Sequence, residues 1–536
     1  MTHRFFTTVA LGSSLFLATF LTVPQAQTAA PVSAPTPPER VDEATVERIR
    51  SEAFDRSQVM DLVWNLTDVH GPRLTNSPQI RAAARWATDT MTSWGLTNVR
   101  EEAWGPFGRG WTNEQFAAQV VAPTVSPLIA YPRGWTPGTN GPVTADVALA
   151  VVNNEQDMAK FRGQLRGKIV LILNAVDVPL ATAPQSQRFS DQQLVDLEAP
   201  PTRGGRGRGG QNAQNGPPPD PNIRLNRMTF YQREGVVAAL IPGNGRGERG
   251  VVLTGAYELT RMPDSPAVVP QVYVETEQYN RLVRLVERNV PVKVSLDIRN
   301  RFIDAPLDSF NVIAELPGTD KSDEVVMLGA HFDSELGGTG ATDNAAGSAA
   351  MMEAMRILKA TGVRLRRTVR LALWTGEEQG LLGAAAYVEE HFGSSETMQL
   401  KPDHAKLSTY FNMDNGAGAI RGVYLQGNDA VRPVFAAWLG SLKTLGATTL
   451  AARSVGATDH VPFDRVGLPA FQFIQDRLEY NGLSHHSNMD VFERVQADDM
   501  KKNAAIIATF AYHAATRDER LPRKALPQAR GRRGGQ

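Results

Sequence analysis

Cysteine is absent from all 536 residues. That absence removes disulfides, thiolate metal ligands and a cysteine nucleophile at once, so any bound metal must be held by His, Asp and Glu. Histidine itself is scarce, at nine. An excess of either charge is missing too. Lys plus Arg and Asp plus Glu are equal at 56 each, so no overall field draws the chain toward nucleic acid or an anionic membrane. Beyond residue 23 no stretch approaches the ~20 apolar residues of a membrane helix.

What is present suits a globular protein. A 42% hydrophobic fraction with 21% charged residues can bury a core, and the length predicts two or three packed units. His3 and Arg4 give a basic start, residues 5–23 are almost uncharged and apolar, and 24–30 offer small residues for cleavage. Residues 1–30 therefore read as a signal peptide of an exported, periplasmic or secreted protein, with no membrane partner once it is removed. The same run is about long enough to anchor the chain if it is retained. Residues 31–40 form a Pro/Ala-rich leader.

Apolar residues recur at helical spacing over 41–66 and 80–94, separated by the turn-rich Gly71-Pro72-Arg73-Leu74-Thr75-Asn76-Ser77-Pro78. Between 117 and 301 the texture changes to short β-branched strands with Gly/Pro turns, such as 147–152, 168–173 and 236–241, which predicts a separate β-rich unit. Inside it, 181–222 carries an Arg/Gly run at 203–210 and three prolines at 217–219, too polar to pack and read as a disordered surface insertion. The basic tail, 517–536, reads as frayed. From 302 to 516 strands (325–329, 369–374, 407–413) alternate with helices (344–359, 380–391). This predicts an α/β domain whose mixed, largely parallel sheet is sandwiched by helices.

In such sheets ligands collect beyond the carboxyl ends of strands. The first of these strands ends in Gly329-Ala330-His331-Phe332-Asp333. His331 and Asp333, two apart in extended chain, share a face, so His331 can ligate a metal while Asp333 orients its ring; alone, the pair reads rather as a satisfied core or surface histidine. Asp343 begins Asp343-Asn344-Ala345-Ala346-Gly347, where it is either a helix N-cap or a bridge between two metals. The second strand runs into Thr375-Gly376-Glu377-Glu378-Gln379-Gly380. Two carboxylates there are costly unless a cation neutralises them. Because Glu377 and Glu378 point in different directions, one can bind metal while the other accepts a proton. The third strand delivers Asp414, and a late loop carries Ser484-His485-His486-Ser487. Two metals sharing Asp343 would each need one histidine and one further carboxylate, a count that His331, Asp343, Glu378, Asp414 and His486 meet.

These motifs, in this order, resemble the co-catalytic zinc exopeptidases of metallopeptidase family twenty-eight, which include bacterial aminopeptidases, glutamate carboxypeptidases and plasma carboxypeptidase Q. The resemblance implies two Zn2+ per chain: His331 and Asp414 on one, Glu378 and His486 on the other, Asp343 bridging, and Glu377 as general base toward a metal-activated water. The His-Ser-x-x-Asp register selects His486 over His485. A cis peptide after Asp343 is also implied. The β-rich unit looks like the family's protease-associated insert, and 71–75 like its N-terminal helical layer. Thr458-Asp459-His460-Val461-Pro462-Phe463 matches a family loop, with Asp459 and His460 stabilising the loop or facing substrate. A short peptide is the expected partner, with nucleic acid excluded and a homodimer left open. Glutamate-carboxypeptidase-type hydrolysis, single-zinc glutaminyl cyclisation and a non-catalytic receptor are the competing expectations.

Overall fold

The computed structural model describes residues 39–180, 182–199, 221–243 and 250–529. The signal segment, most of the leader, the Arg/Gly run and the last seven residues of the tail lie outside them. Among the described residues no helix is long and apolar enough to cross a membrane.

Two eight-stranded sheets organise the chain. The first runs, edge to edge, Thr97–Trp104, Ser309–Leu316, Arg367–Trp374, Lys321–His331, Leu407–Asn412, Ala470–Gln475, Ile420–Tyr424 and Thr449–Ala451. Its four central strands are mutually parallel and the outer pairings are mixed. The near-continuous apolar runs predicted as strands have a direct cause. Alternate side chains enter two different cores: Val369, Leu371 and Leu373 join the core under the helices Ala346–Ala360 and Ala497–Thr516, whereas Ala372 and Trp374 join Tyr387, Phe392, Tyr410 and Phe463 on the opposite face.

The second sheet spans 110–303, against the 117–301 expected, in the order Ser126–Pro127, Gly110–Ala122, Lys293–Ile303, Val143–Leu149, Ile169–Leu171, Ala238–Gly243, Gln271–Glu275, Ala130–Pro132. It is less purely β than its composition suggested. The helices Thr276–Glu287 and Pro221–Glu234 accompany it, and hydrophobic cores lie on both sides.

Three sequence expectations need correction. The 41–66 helix is two, Glu43–Asp55 and Val59–Trp64, broken where Arg56, Ser57 and Gln58 intervene. Within the segment read as a disordered insertion, residues 191–198 form a helix closed by a Ser190/Gln193 capping box, with Leu194 buried. The preceding stretch binds the first sheet's unit through Arg188, whose guanidinium pairs with Asp476 and Asp499. The tail is pinned as well: Leu521 is buried, Arg523 donates to the carbonyls of His404 and Leu407, and Lys524 pairs with Asp464. Side-chain anchoring, invisible to a composition argument, overrides backbone flexibility in both segments.

Two buried arginines tie the N-terminal segments to the rest of the first sheet's unit. Arg356 bridges Glu52 (2.7 Å) and Glu353 (2.8 and 2.9 Å) across two helices. Arg73, fully buried, donates to the carbonyls of Leu66, Phe332, Thr339 and Gly340, and so ties 66–73 to both ends of the loop that follows His331. Arg356→Ala removes the buried cation shared by Glu52 and Glu353, leaving Glu52 only the exposed Arg56 and Glu353 only the Gln58 N–H, and is expected to lose about 3–5 kcal/mol. Arg56→Ala removes only the exposed partner of Glu52 and should lose under ~1 kcal/mol; urea titration of both variants checks the contrast. In Arg73→Lys a single ammonium cannot serve four diverging carbonyls, so the melting temperature should fall, with a loss of about 2–4 kcal/mol; an unchanged transition contradicts this.

Candidate active site

Parallel pairing brings the site together. His331 lies opposite Trp374 and Gly329 opposite Asn412 in register, so the turn with Glu377 and Glu378 and the one with Asp414 leave the sheet on either side of His331. Asp343 comes from 341–345, ahead of the helix Ala346–Ala360, and its own backbone is non-helical. The Asp343–Asn344 peptide is cis, and the Asn344 side chain holds the bend by bonding the Met413 carbonyl and the Gly347 N–H, each at 2.9 Å.

The side chains form an alternating array of carboxylates and imidazoles. His331 Nε2 is 3.5 Å from Asp414 Oδ1 and 3.1 Å from Asp343 Oδ1. The other oxygen of Asp343 lies 3.3 Å from His486 Nε2, which is 2.9 Å from Glu378 Oε2. Asp343 thus gives one oxygen to each half. His485 lies 3.6 Å from Asp343 with its ring stacked on Tyr480, whereas His486 lies within 3.3 Å of both Asp343 and Glu378.

Supporting contacts set these positions. His331 Nδ1 donates to the main-chain carbonyl of Asp333 (3.0 Å), which leaves Nε2 to face the carboxylates. The expectation that the Asp333 carboxylate orients the ring is corrected: its nearer oxygen is 3.8 Å from Nδ1. It accepts instead from the Thr75 hydroxyl (2.8 Å) and the N–H groups of Glu377 and Glu378 (3.3 Å each). The face-sharing rule requires extended chain, and the strand stops at His331. Asp490 accepts from Thr342 N (2.6 Å), the Thr342 hydroxyl (2.7 Å) and Asp343 N (3.2 Å), fixing the backbone under Asp343. Burial pushes Asp490 up to about 7.

Negative charge dominates the crevice. Burial, reinforced by neighbouring carboxylates, holds Glu377 and Asp459 well above the ordinary range and raises Glu378. Against burial, the charges of Glu377 and Asp414 drive His331 well above its usual value, and Glu378 does the same to His486. Glu377 is thereby within electrostatic reach of His331 and Asp414. Asp343 Oδ2, Glu378 Oε1 and both oxygens of Asp459 are buried without a hydrogen-bond partner. His331, Asp343 and Glu378 offer ligand atoms within one metal-sized cluster, as do Asp343, His485 and His486. Hard oxygen and imidazole donors, unsatisfied and crowded by like charge, fit divalent zinc.

Some site residues carried no readable signal. Asp490, Arg73 and Thr75 stood inside recognised motifs, but their roles depend on contacts across more than 140 positions. Glu335, in the loop after His331, is raised to about 8 by burial and by Glu378; an acidic loop residue has nothing in sequence to distinguish it. His460 turns to Gln426 (2.6 Å) and the Val455 carbonyl (3.1 Å).

Comparison with known proteins agrees with this arrangement. Residues 311–511 match the model of "Peptidase family M28". Mouse carboxypeptidase Q is 26% identical over 460 residues, 85% of this chain and 86% of that protein. The crystal structure of a peptidase M28 precursor from Shewanella amazonensis superposes with a TM-score of 0.64 at 24% identity, covering 91% of this chain and 99% of that one. A zinc aminopeptidase from Bacillus subtilis gives 0.54 at 18%, covering 86% and 95%. With its helix-sandwiched sheet and the carboxylate–imidazole array at the strand ends, this chain carries the peptidase family M28 match over residues 311–511 and is a metallo-exopeptidase of the carboxypeptidase Q and aminopeptidase type.

Proposed function

We propose that the chain is an exported di-zinc exopeptidase that releases residues from the free amino end of short peptides, as an aminopeptidase or dipeptidase. The single observation that carries the reading is Asp343, whose two oxygens face two imidazoles that each have a carboxylate of their own. On this reading His331 and Asp414 hold one ion, Glu378 and His486 the other, and Asp343 is shared. The ions, when bound, supply the Lewis acidity that makes a water acidic near neutral pH and polarises the scissile carbonyl. Glu377 accepts the water's proton and passes it to the leaving amine. Its setting, where burial holds the carboxyl above its ordinary range, suits that exchange, because a less acidic carboxyl is the better proton acceptor.

Charge favours the amino end. The crevice is rich in carboxylates, and its buried guanidinium, Arg73, is engaged by four carbonyls, so a substrate ammonium is attracted where a substrate carboxylate is repelled. The mouse relative is named a carboxypeptidase and the Bacillus one an aminopeptidase; both names describe removal from a free end. We read the second sheet as a protease-associated insert, and residues 1–30 as the export signal.

Glu377→Gln should lower kcat by about 10^2–10^4-fold and leave two zinc ions per chain by elemental analysis. Loss of both ions along with activity overturns the role given to Glu377. A wild-type count of one zinc overturns the shared-ligand reading. Dipeptides blocked at one end or the other test the end preference: cleavage of amino-blocked but not carboxyl-blocked substrates reverses it.

A further inference from the structure

Glu335 is a half-buried residue whose carboxylate the hydrolytic chemistry does not use. One oxygen accepts a long bond from the Ala256 N–H, at 3.4 Å. The other, Oε2, is buried without a partner among the described residues. Glu335 nonetheless lines the same small cavity as Asp343, Glu378 and His486, next to the side chains assigned to the metals.

A segment of the second sheet's unit lies against Glu335. Residues 250–256 run beside 486–488: Thr254 N donates to the His486 carbonyl (2.8 Å), and Val252 N donates to the Asn488 side chain (2.7 Å) and its carbonyl accepts from Asn488 N (3.1 Å). The segment that braces His486 therefore also faces Glu335. At its centre, Gly255 places no side chain near Glu335 Oε1 or the Tyr273 hydroxyl, which a Cβ there would approach to 3.9 and 3.7 Å.

A buried carboxylate oxygen without a hydrogen-bond partner is costly, and one long amide bond to the other oxygen offsets little of that cost. A ligand that brings a cation removes the penalty, whereas an uncharged analogue leaves the group unpaired, and this asymmetry is what makes such a site selective. We propose that Glu335 is an anionic subsite that receives a cationic group of the peptide substrate: the α-ammonium, or the side-chain ammonium or guanidinium of a Lys or Arg beside the scissile bond. The proposal rests on the peptidase reading and adds to it the residue that selects substrate.

The test compares zinc-loaded full-length wild type with Glu335→Gln, a change of charge at nearly constant shape. Turnover is measured on leucyl and lysyl anilides, and calorimetric binding on leucinamide, Nα-acetyl-lysinamide and N-acetyl-leucinamide. If the α-ammonium is recognised, kcat/KM falls about 10–100-fold on both anilides and leucinamide binding weakens in step. If a side-chain cation is recognised, only the lysyl anilide and Nα-acetyl-lysinamide suffer. Values within twofold of wild type throughout, or an equal loss that includes the uncharged N-acetyl-leucinamide, overturn the proposal. Should wild type cleave neither anilide yet bind ammonium ligands in a Glu335-dependent way, the peptidase reading fails and the subsite stands. Removing an unpaired buried charge should not lower the melting temperature. If Glu335→Gln nevertheless melts early, Glu335→Asp carries the test: retained preference for cationic over uncharged ligands supports the subsite, and its loss overturns it.

Discussion

Everything at the rim of the first sheet depends on carboxylates packed closer together than their own charges allow. Asp343, Glu378, Asp414, Glu377 and Asp459 converge within reach of two imidazoles, and several of their oxygens find no donor. Such an arrangement is unstable in isolation. It becomes sensible when divalent cations supply the missing charge, and the protein's other features can be understood as ways of holding the acids in place until then.

That scaffolding is made of main-chain contacts. Asp490 grips the backbone on the N-terminal side of Asp343, Asn344 the bend after it, and Asp333 the N–H groups under both glutamates. Arg73 collects carbonyls from the loops around His331, and Thr254 holds the carbonyl of His486. Ligand positions set by backbone bonds are stiffer than those set by side-chain packing alone, which matters where a small displacement changes reactivity. The second sheet's unit takes part in this: the segment 250–256 braces the backbone of His486 and lies against Glu335.

The order of strands and helices in the catalytic half was legible because a parallel sheet covered on both faces yields apolar runs, and helices between them keep helical spacing. The acids and histidines could be found because they follow those runs, at the one edge where several strands end together. Elsewhere composition misled. Residues 182–199 and the basic tail look unable to pack, yet Arg188, Arg523 and Lys524 find distant partners. The role of Asp333 was misread for a similar reason, since the alternation of faces ends where the strand does.

Sequence alone determined the chemistry available: no thiolate, few histidines, and acidic residues placed after β-strands in an order shared with a family of zinc exopeptidases. Only the tertiary structure decided how His486 sits between two carboxylates, what Asp333 holds, and that Glu335 shares a cavity with Asp343, Glu378 and His486. The reason is physical. Residue type and local spacing are written along the chain, whereas charge crowding and unsatisfied hydrogen-bonding capacity exist only between groups that folding brings within a few ångströms of one another.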